Sequence, residues 1–345
     1  MRLVYFGYSN VGYACLEVLI DLCRQLHDEI VAVVTHVDDP QEQIWFKSVR
    51  ELALAHQLPV YTPASAKDPA LLELVRGLAP DFLFSCYYRY LLPPALLAVP
   101  TRGALNLHGS LLPRYRGRCP LNWVLIHGEP LTGVSLHYME ATPDSGDLVA
   151  QAQVPIDPED TAWTLSEKLT AAAAQLMRRV YPLLRADAAP RIRQDHRRAT
   201  YFGGRRPEDG RIHWQQGARQ IYNLIRAVTH PFPGAFTTWQ GKKIFLWAAK
   251  VDTEYAGPPL PPGKVAVAGQ RLRIGTGDGV LAVVAAQMEG QPDVRGADLA
   301  SALAFLEGQT LGQEPEAAGT PGPAPAAPAG SPREGGRLEY SDSRR

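Results

Sequence analysis

Short apolar runs alternate with stretches of helical apolar spacing from Leu3 to Leu184, and that alternation confines the chain to few folds. Residues 3–7 form an apolar run closed by glycine, and residues 11–26 carry apolar letters at helical spacing. Residues 29–36 (EIVAVVTH) are rich in β-branched side chains, the composition of a strand covered on both faces. The pattern then predicts a helix over 44–56, a short strand at 59–61, a helix over 69–77 and strands at 81–87 and 104–108. Two more strands follow at 133–139 and 147–156, with a long helix over 165–184. Such an order predicts an α/β fold with a Rossmann-like, mostly parallel sheet and helices on both faces. Ligands of open parallel sheets bind beyond the carboxyl ends of strands, so the residues just after 104–108 are the first place to look for chemistry.

After about residue 189 the pattern changes. Residues 191–210 are polar and arginine-rich, and read as a linker. A helix over 218–228 and the turn Pro231-Phe232-Pro233-Gly234 precede short strands at 235–239, 243–251, 263–268, 272–275 and 280–286. Short strands separated by Gly/Pro turns predict a small β-barrel-like, OB-like domain, closed by a helix over 293–306. From residue 312 onward the letters are mostly Pro, Ala, Gly and Ser, a composition expected to stay disordered because it buries too little apolar surface. The expected organisation is therefore 1–190, a linker at 191–210, a second domain at 211–311 and a tail at 312–345.

Composition excludes several classes. The 345 residues are 46% hydrophobic and 20% charged, and the charges balance to zero, which argues against a phosphate-backbone binder. No apolar run approaches the roughly 18 residues of a membrane span, and the N-terminus lacks a secretory apolar core. Cys15, Cys23, Cys86 and Cys119 have neither a disulfide framework's pattern nor zinc-ligand spacing, so no metal is expected. These features predict a cytoplasmic enzyme without membrane insertion or nucleic-acid partner, its subunit number open, a homo-oligomer included.

The densest polar cluster runs from Asn106 through His108, Ser110, Arg114 and Arg116 to Arg118. Asn106 and His108 are two apart, so on a strand their side chains share a face. An imidazole moves protons near neutral pH, and an amide beside it donates to an oxygen that gathers negative charge. A turn at Pro143-Asp144-Ser145-Gly146-Asp147 is able to bring Asp144 against His108, fixing its tautomer and raising its basicity. Taken alone, a histidine at a strand end is more often a satisfied structural residue. The surrounding letters decide.

Those letters, Asn-x-His-x-Ser-Leu-Leu-Pro-x-x-Arg-Gly and then Asp-Ser-Gly at 144–146, resemble the signature of folate-dependent formyltransferases. The resemblance implies the formyltransferase fold, 10-formyltetrahydrofolate as donor, and Asn106, His108 and Asp144 as the catalytic residues. Within that family the similarity is greatest to the formyltransferase domains of lipid A modification enzymes, which act on UDP-4-amino-4-deoxy-L-arabinose and belong to polymyxin resistance. It extends over residues 1–308, through Thr35-His36-Val37-Asp38-Asp39-Pro40, Phe84-Ser85-Cys86-Tyr87-Tyr88-Arg89, residues 116–125 and Phe202-Gly203-Gly204-Arg205-Arg206-Pro207. It implies a nucleotide-sugar acceptor, with Gly12, Arg118, Asn122 and Arg205 on the acceptor side. Tyr87, Tyr88, Leu91, Leu92 and Leu112 are the implied walls of the folate pocket. The relatives that carry both activities continue into a large decarboxylating domain, whereas a Pro/Ala/Gly tail follows here, so the amino sugar is expected to come from other proteins.

Other readings compete. A methionyl-tRNA formyltransferase is disfavoured by the neutral charge and by Arg118, where those enzymes have a small residue. A formyltransferase for a dTDP-linked amino sugar shares the chemistry, and a non-catalytic folate or nucleotide binder is disfavoured by the complete triad. Gly7 and Gly12 lack the Gly-x-Gly-x-x-Gly of a dinucleotide site. Arg114, Arg116 and Arg118 are either a solvated charge run or, at Arg118, a bidentate partner for a diphosphate. Arg205 either decorates the linker or reaches the substrate. Cys119 stands where the relatives usually have Ala and reads as a small buried residue; His36, His127 and His137 read as structural or loop residues.

Overall fold

The protein is described by a computed structural model covering residues 1–39, 44–268 and 271–313. In chain order the first half contains β1 (Arg2–Gly7), α1 (Ser9–Leu26), β2 (Glu29–Val34), α2 (Val49–Ala55), β3 (Val60–Tyr61), α3 (Pro69–Leu78) and β4 (Phe82–Cys86). It continues with α4 (Pro94–Leu97), β5 (Gly103–His108), β6 (Arg116–Gly117), α5 (Pro120–Ile126), β7 (Leu131–Tyr138), β8 (Leu148–Pro155) and α6 (Ala162–Arg185). The second half contains β9 (Tyr201–Phe202), α7 (Ala218–Val228), β10 (Ala235–Trp239), β11 (Lys242–Val251), β12 (Val265–Ala268), β13 (Arg271–Thr276), β14 (Gly279–Met288), β15 (Asp293–Arg295) and α8 (Ala297–Ala302).

The first sheet has the order β3-β2-β1-β4-β5-β7-β8. Its strands run parallel from β3 to β5; β7 then pairs antiparallel with β5, and β8 antiparallel with β7. The mostly parallel α/β sheet expected from the letters is what forms. Strand order reverses between β1 and β4, and open parallel sheets bind ligands beyond the carboxyl ends of strands at such a reversal. Every β4 side chain is buried, as its unbroken FLFSC run requires. Apolar side chains alternate between the two faces. Leu3, Tyr5, Leu105 and Leu107 belong to the core shared with α1 and α6, while Val4, Phe6 and Ala104 belong to the opposite core.

Local chemistry explains the helix starts. Asp68 accepts from Ala70 N at 2.9 Å with Pro69 in the first turn of α3. Thr161 and Thr164 cap α6 reciprocally, at 3.0 and 3.3 Å. The helix expected over 44–56 begins only at Val49, because Ser48 caps it and accepts from Glu51 N at 3.2 Å. Trp45 and Phe46 instead pack in the preceding loop, Trp45 against Trp163 and Phe46 against Tyr8.

The second sheet is antiparallel, in the order β10-β11-β14-β13-β12, with β15 on β14. The closing helix expected over 293–306 is not continuous. Asp293–Arg295 pairs with β14, Gly296 turns the chain at φ 59°, and only Ala297–Ala302 is α-helical. The expected linker is also more structured than its polar letters suggest, because β9 pairs in parallel with β6. Of the tail expected at 312–345, only residues 312 and 313 are described; residues 314–345 lie outside the described residues. No helix among the described residues is long and apolar enough to cross a membrane.

Candidate active site

Asn106 and His108 stand two apart near the carboxyl end of β5, on the Ala104 side of the sheet. Beyond His108 the chain doubles back and is pinned to the neighbouring strands. Ser135 Oγ donates to Ser110 O at 2.6 Å and accepts from Leu112 N at 3.1 Å. Gln151 Nε2 donates to Leu112 O at 2.9 Å. Tyr115, at φ 58°, turns its carbonyl toward the histidine. His108 Nε2 lies 2.7 Å from that carbonyl, and since a carbonyl only accepts, Nε2 carries the proton. In the neutral ring Nδ1 is therefore a lone pair, and it faces Asp144 Oδ1 at 3.5 Å.

Asp144 lies in the turn between β7 and β8 at φ 57°. Its other oxygen, Oδ2, accepts from Gly117 N at 2.8 Å. Glycine is required there: at φ 94°, an added Cβ would lie 2.3 Å from Phe202 O.

His137 completes the group, and it was read from the sequence as structural. It lies opposite Asn106 in the β5–β7 register, so the two side chains share a face. Its Nδ1 donates to Tyr138 O at 2.7 Å, which leaves Nε2 to accept from Asn106 Nδ2 at 3.2 Å. The same Nε2 faces Asp144 Oδ1 at 3.5 Å.

One carboxylate oxygen is thus faced by two imidazole nitrogens that are both unprotonated in the neutral rings. Burial pushes the His108 pKa down, with Asp144 pulling the other way. Burial also works against the Asp144 carboxylate, but His108, His137 and the Gly117 N–H hold it at about 2. A proton on either imidazole nitrogen would face the Asp144 carboxylate. The group is an acceptor for one proton, with the Asn106 amide beside it as a donor.

The residues expected to wall the folate divide. Tyr88 and Leu92 pack on the core of the Asn106 and His108 face; Tyr87, at φ 58°, turns to the other core. The Tyr87 hydroxyl abuts Gly109, the residue after His108, where an added Cβ would lie 2.1 Å from it. Tyr88 stacks on His36 with centroids 4.3 Å apart, and its hydroxyl is buried with no hydrogen-bond partner among the described residues. Burial lowers the His36 pKa to about 4, helped by Arg89. Leu91 is exposed and Leu112 buried.

The residues expected on the acceptor side also differ in surroundings. Gly12 lets α1 rest on the strand ends, since an added Cβ would lie 3.0 Å from Cys86 O. Asn122 is buried and donates to Ala227 O at 2.7 Å, joining α5 to α7. Arg118 is exposed; its backbone N donates to Phe202 O at 2.9 Å and its guanidinium lies over Gly204. Arg205 lies over the Trp123 ring at 4.8 Å and donates to Asp209 O at 2.8 Å. Cys119, expected to be buried, is half-buried at φ 55° just before α5. No group of three or more His, Cys, Asp or Glu side chains among the described residues is placed to hold a metal ion.

This constellation and the sheet that carries it correspond to a known class. Residues 1–181 match the family described as Formyl transferase, and residues 205–303 match Formyl transferase, C-terminal domain. The chain belongs to the formyltransferase family and is a formyl-transferring enzyme. Among solved structures, an N-formyltransferase from Helicobacter canadensis, in complex with folinic acid and dTDP-3-aminofucose, has 19% identity and a TM-score of 0.66, covering 82% of this chain and 98% of its own. The sugar 3N-formyltransferase WlaRD, solved with dTDP and 5-N-formyltetrahydrofolate, has 18% identity and a TM-score of 0.65, covering 85% and 99%. A sugar N-formyltransferase from Shewanella sp. FDAARGOS_354 has 17% identity and a TM-score of 0.56, covering 71% and 96%. At these identities the likeness establishes a shared fold.

Proposed function

We propose that this enzyme moves the formyl group of 10-formyltetrahydrofolate to the amine of a nucleotide-linked amino sugar, with Asn106, His108 and Asp144 as its catalytic residues. The observation that carries the reading is the convergence of His108 Nδ1 and His137 Nε2 on Asp144 Oδ1, beside the Asn106 amide. As the sugar nitrogen bonds to the formyl carbon, the carbonyl oxygen takes the negative charge and Asn106 donates to it. The proton lost by the nitrogen goes to the His108–Asp144 pair, which returns one to the folate nitrogen as its bond to the formyl carbon breaks. The buried Tyr88 hydroxyl, without a hydrogen-bond partner among the described residues, and the apolar Leu92 packed on the same core support a donor ligand with a hydrogen-bonding heterocycle.

Arg118, exposed beyond the catalytic strand, is the residue we assign to the acceptor's diphosphate, with Arg205 alongside. Two sugars compete. UDP-4-amino-4-deoxy-L-arabinose follows from the sequence resemblance, and a dTDP-linked amino sugar is favoured equally by the complexes of the structural relatives. A mass-spectrometric assay with 10-formyltetrahydrofolate and a panel of UDP- and dTDP-amino sugars separates them. Formylation of methionyl-tRNA with no sugar formylated would overturn the reading.

A further inference from the structure

We propose that the segment joining the two sheets positions Asp144 for proton transfer, through Gln194 and the buried guanidinium of Arg116. The inference rests on the site assignment above and extends it to residues that touch no reacting atom.

Arg116 is only 1% exposed, yet no carboxylate among the described residues pairs with it. Its donors go to neutral acceptors: Gln194 Oε1 at 2.6 Å, the Tyr201 hydroxyl at 2.6 Å and His196 Nδ1 at 3.1 Å. Its Nε has no hydrogen-bond partner among the described residues. A buried cation without a counterion is unfavourable, and a side chain that merely filled this space would be apolar or paired.

The cation fixes the direction of the Gln194 amide. With Oε1 bound to the guanidinium, Nε2 is turned away and donates to Asp144 O at 2.9 Å and Gly146 O at 2.6 Å. Those carbonyls lie on either side of Ser145, in the turn that holds Asp144 in the left-handed region, where an aspartate is strained unless its surroundings fix it. Gln194 therefore grips the backbone of the turn while Gly117 N grips its carboxylate.

The strip of residues 115–117 touches the group at two points and, between them, reaches it through Gln194. Tyr115 O holds His108 Nε2, the Arg116 side chain holds Gln194, and Gly117 N holds Asp144 Oδ2. The strip is itself held by the joining segment. Tyr115 N donates to Thr200 Oγ1 at 2.8 Å, Arg116 N to Thr200 O at 2.9 Å and Arg118 N to Phe202 O at 2.9 Å. Gln194, Thr200 and Tyr201 are thus positioning residues, set in a segment that composition marks only as a polar crossing.

Gln194→Glu tests this in the full-length enzyme. It keeps an oxygen on Arg116 and supplies the missing counterion, but removes the N–H donors from Asp144 O and Gly146 O. If Gln194 serves stability alone, Tm falls but the folded variant turns over normally. If it positions Asp144, kcat of the folded variant falls tenfold or more, while the KM values for 10-formyltetrahydrofolate and for the accepted sugar (UDP-4-amino-4-deoxy-L-arabinose or dTDP-3-aminofucose) stay within about threefold. Asp144→Asn is assayed beside it. Full activity in Asp144→Asn overturns the site assignment itself. Loss there, with kcat within twofold in a folded Gln194→Glu variant, overturns this inference and leaves the site standing. Should Gln194→Glu fail to fold, Tyr201→Phe decides, because Tyr201 is 56% exposed and the change removes one hydroxyl from Arg116. We expect a two- to fivefold loss of kcat at constant KM; unchanged kcat overturns the proposal.

Discussion

Replacing Asp144 by asparagine removes one charge and almost no volume, so it isolates what the carboxylate does. The remaining oxygen still accepts from Gly117 N, but the new amide donates into the lone pairs of His108 and His137 that the carboxylate leaves open. At the 3.5 Å separating Asp144 Oδ1 from His108 Nδ1, with an effective dielectric near 20, the carboxylate favours a proton on the imidazole by roughly 4–5 kcal/mol. That is about three powers of ten in proton affinity. Solvent and the second imidazole share part of it, so kcat should fall roughly a hundred- to a thousandfold while the KM for folate changes little. The stability change has a definite sign. Because the folded carboxyl titrates at about 2 rather than 3.8, its contribution of roughly 2–3 kcal/mol is complete above about pH 4 and disappears as pH falls toward 2. The urea-midpoint gap between wild type and variant should accordingly narrow on acidification below about pH 4. Steady-state rates from pH 6 to 9 and urea titrations from pH 7 to 3 measure both. A variant that kept a third of wild-type kcat across that range would refute the proton-acceptor reasoning.

Asn106→Ala and His108→Ala should each cost roughly two or more powers of ten in kcat, measured by release of tetrahydrofolate, as loss of a transition-state donor or proton acceptor does. Arg118→Ala should raise the acceptor KM by roughly ten- to a hundredfold, the equivalent of about 1.5–3 kcal/mol for one charge-assisted contact, and leave the folate KM alone; Arg118→Lys should recover only part. Saturation curves in each substrate check this, and equal weakening of both would point to a packing defect. Asn122→Ala leaves the Ala227 carbonyl without its donor and should destabilise folding by about 1–3 kcal/mol, measured by urea titration.

What the letters disclosed and what they concealed divide along a physical line. Asn106 and His108 were legible because a strand's period of two puts them on one face, and the sheet because residues 3–108 alternate so regularly. His137 was concealed because it meets Asn106 only through the register of an antiparallel pair, which no local pattern encodes. Tyr87 and Tyr88 are adjacent letters, but a left-handed residue at 87 sends them to different cores. The helix expected over 293–306 failed at Gly296, whose positive φ ends one element and starts another. Residues 191–210 looked like a solvated crossing because their arginines are polar; burial of Arg116 against Gln194 and Tyr201 follows from tertiary contacts that composition does not carry.

The parallel pairing of β6 with β9 also sets an order in time. Arg116 meets Tyr201 across 85 residues of chain, so the strip that aims His108 and Asp144 lacks its strand partner until residues 201 and 202 have been synthesised. A ribosome-bound chain ending before Gln194 can form most of the first sheet, but its catalytic turn lacks the Gln194 donors. Activity is therefore expected to begin when the segment that joins the two sheets docks, and a nick between residues 185 and 200 should lower kcat.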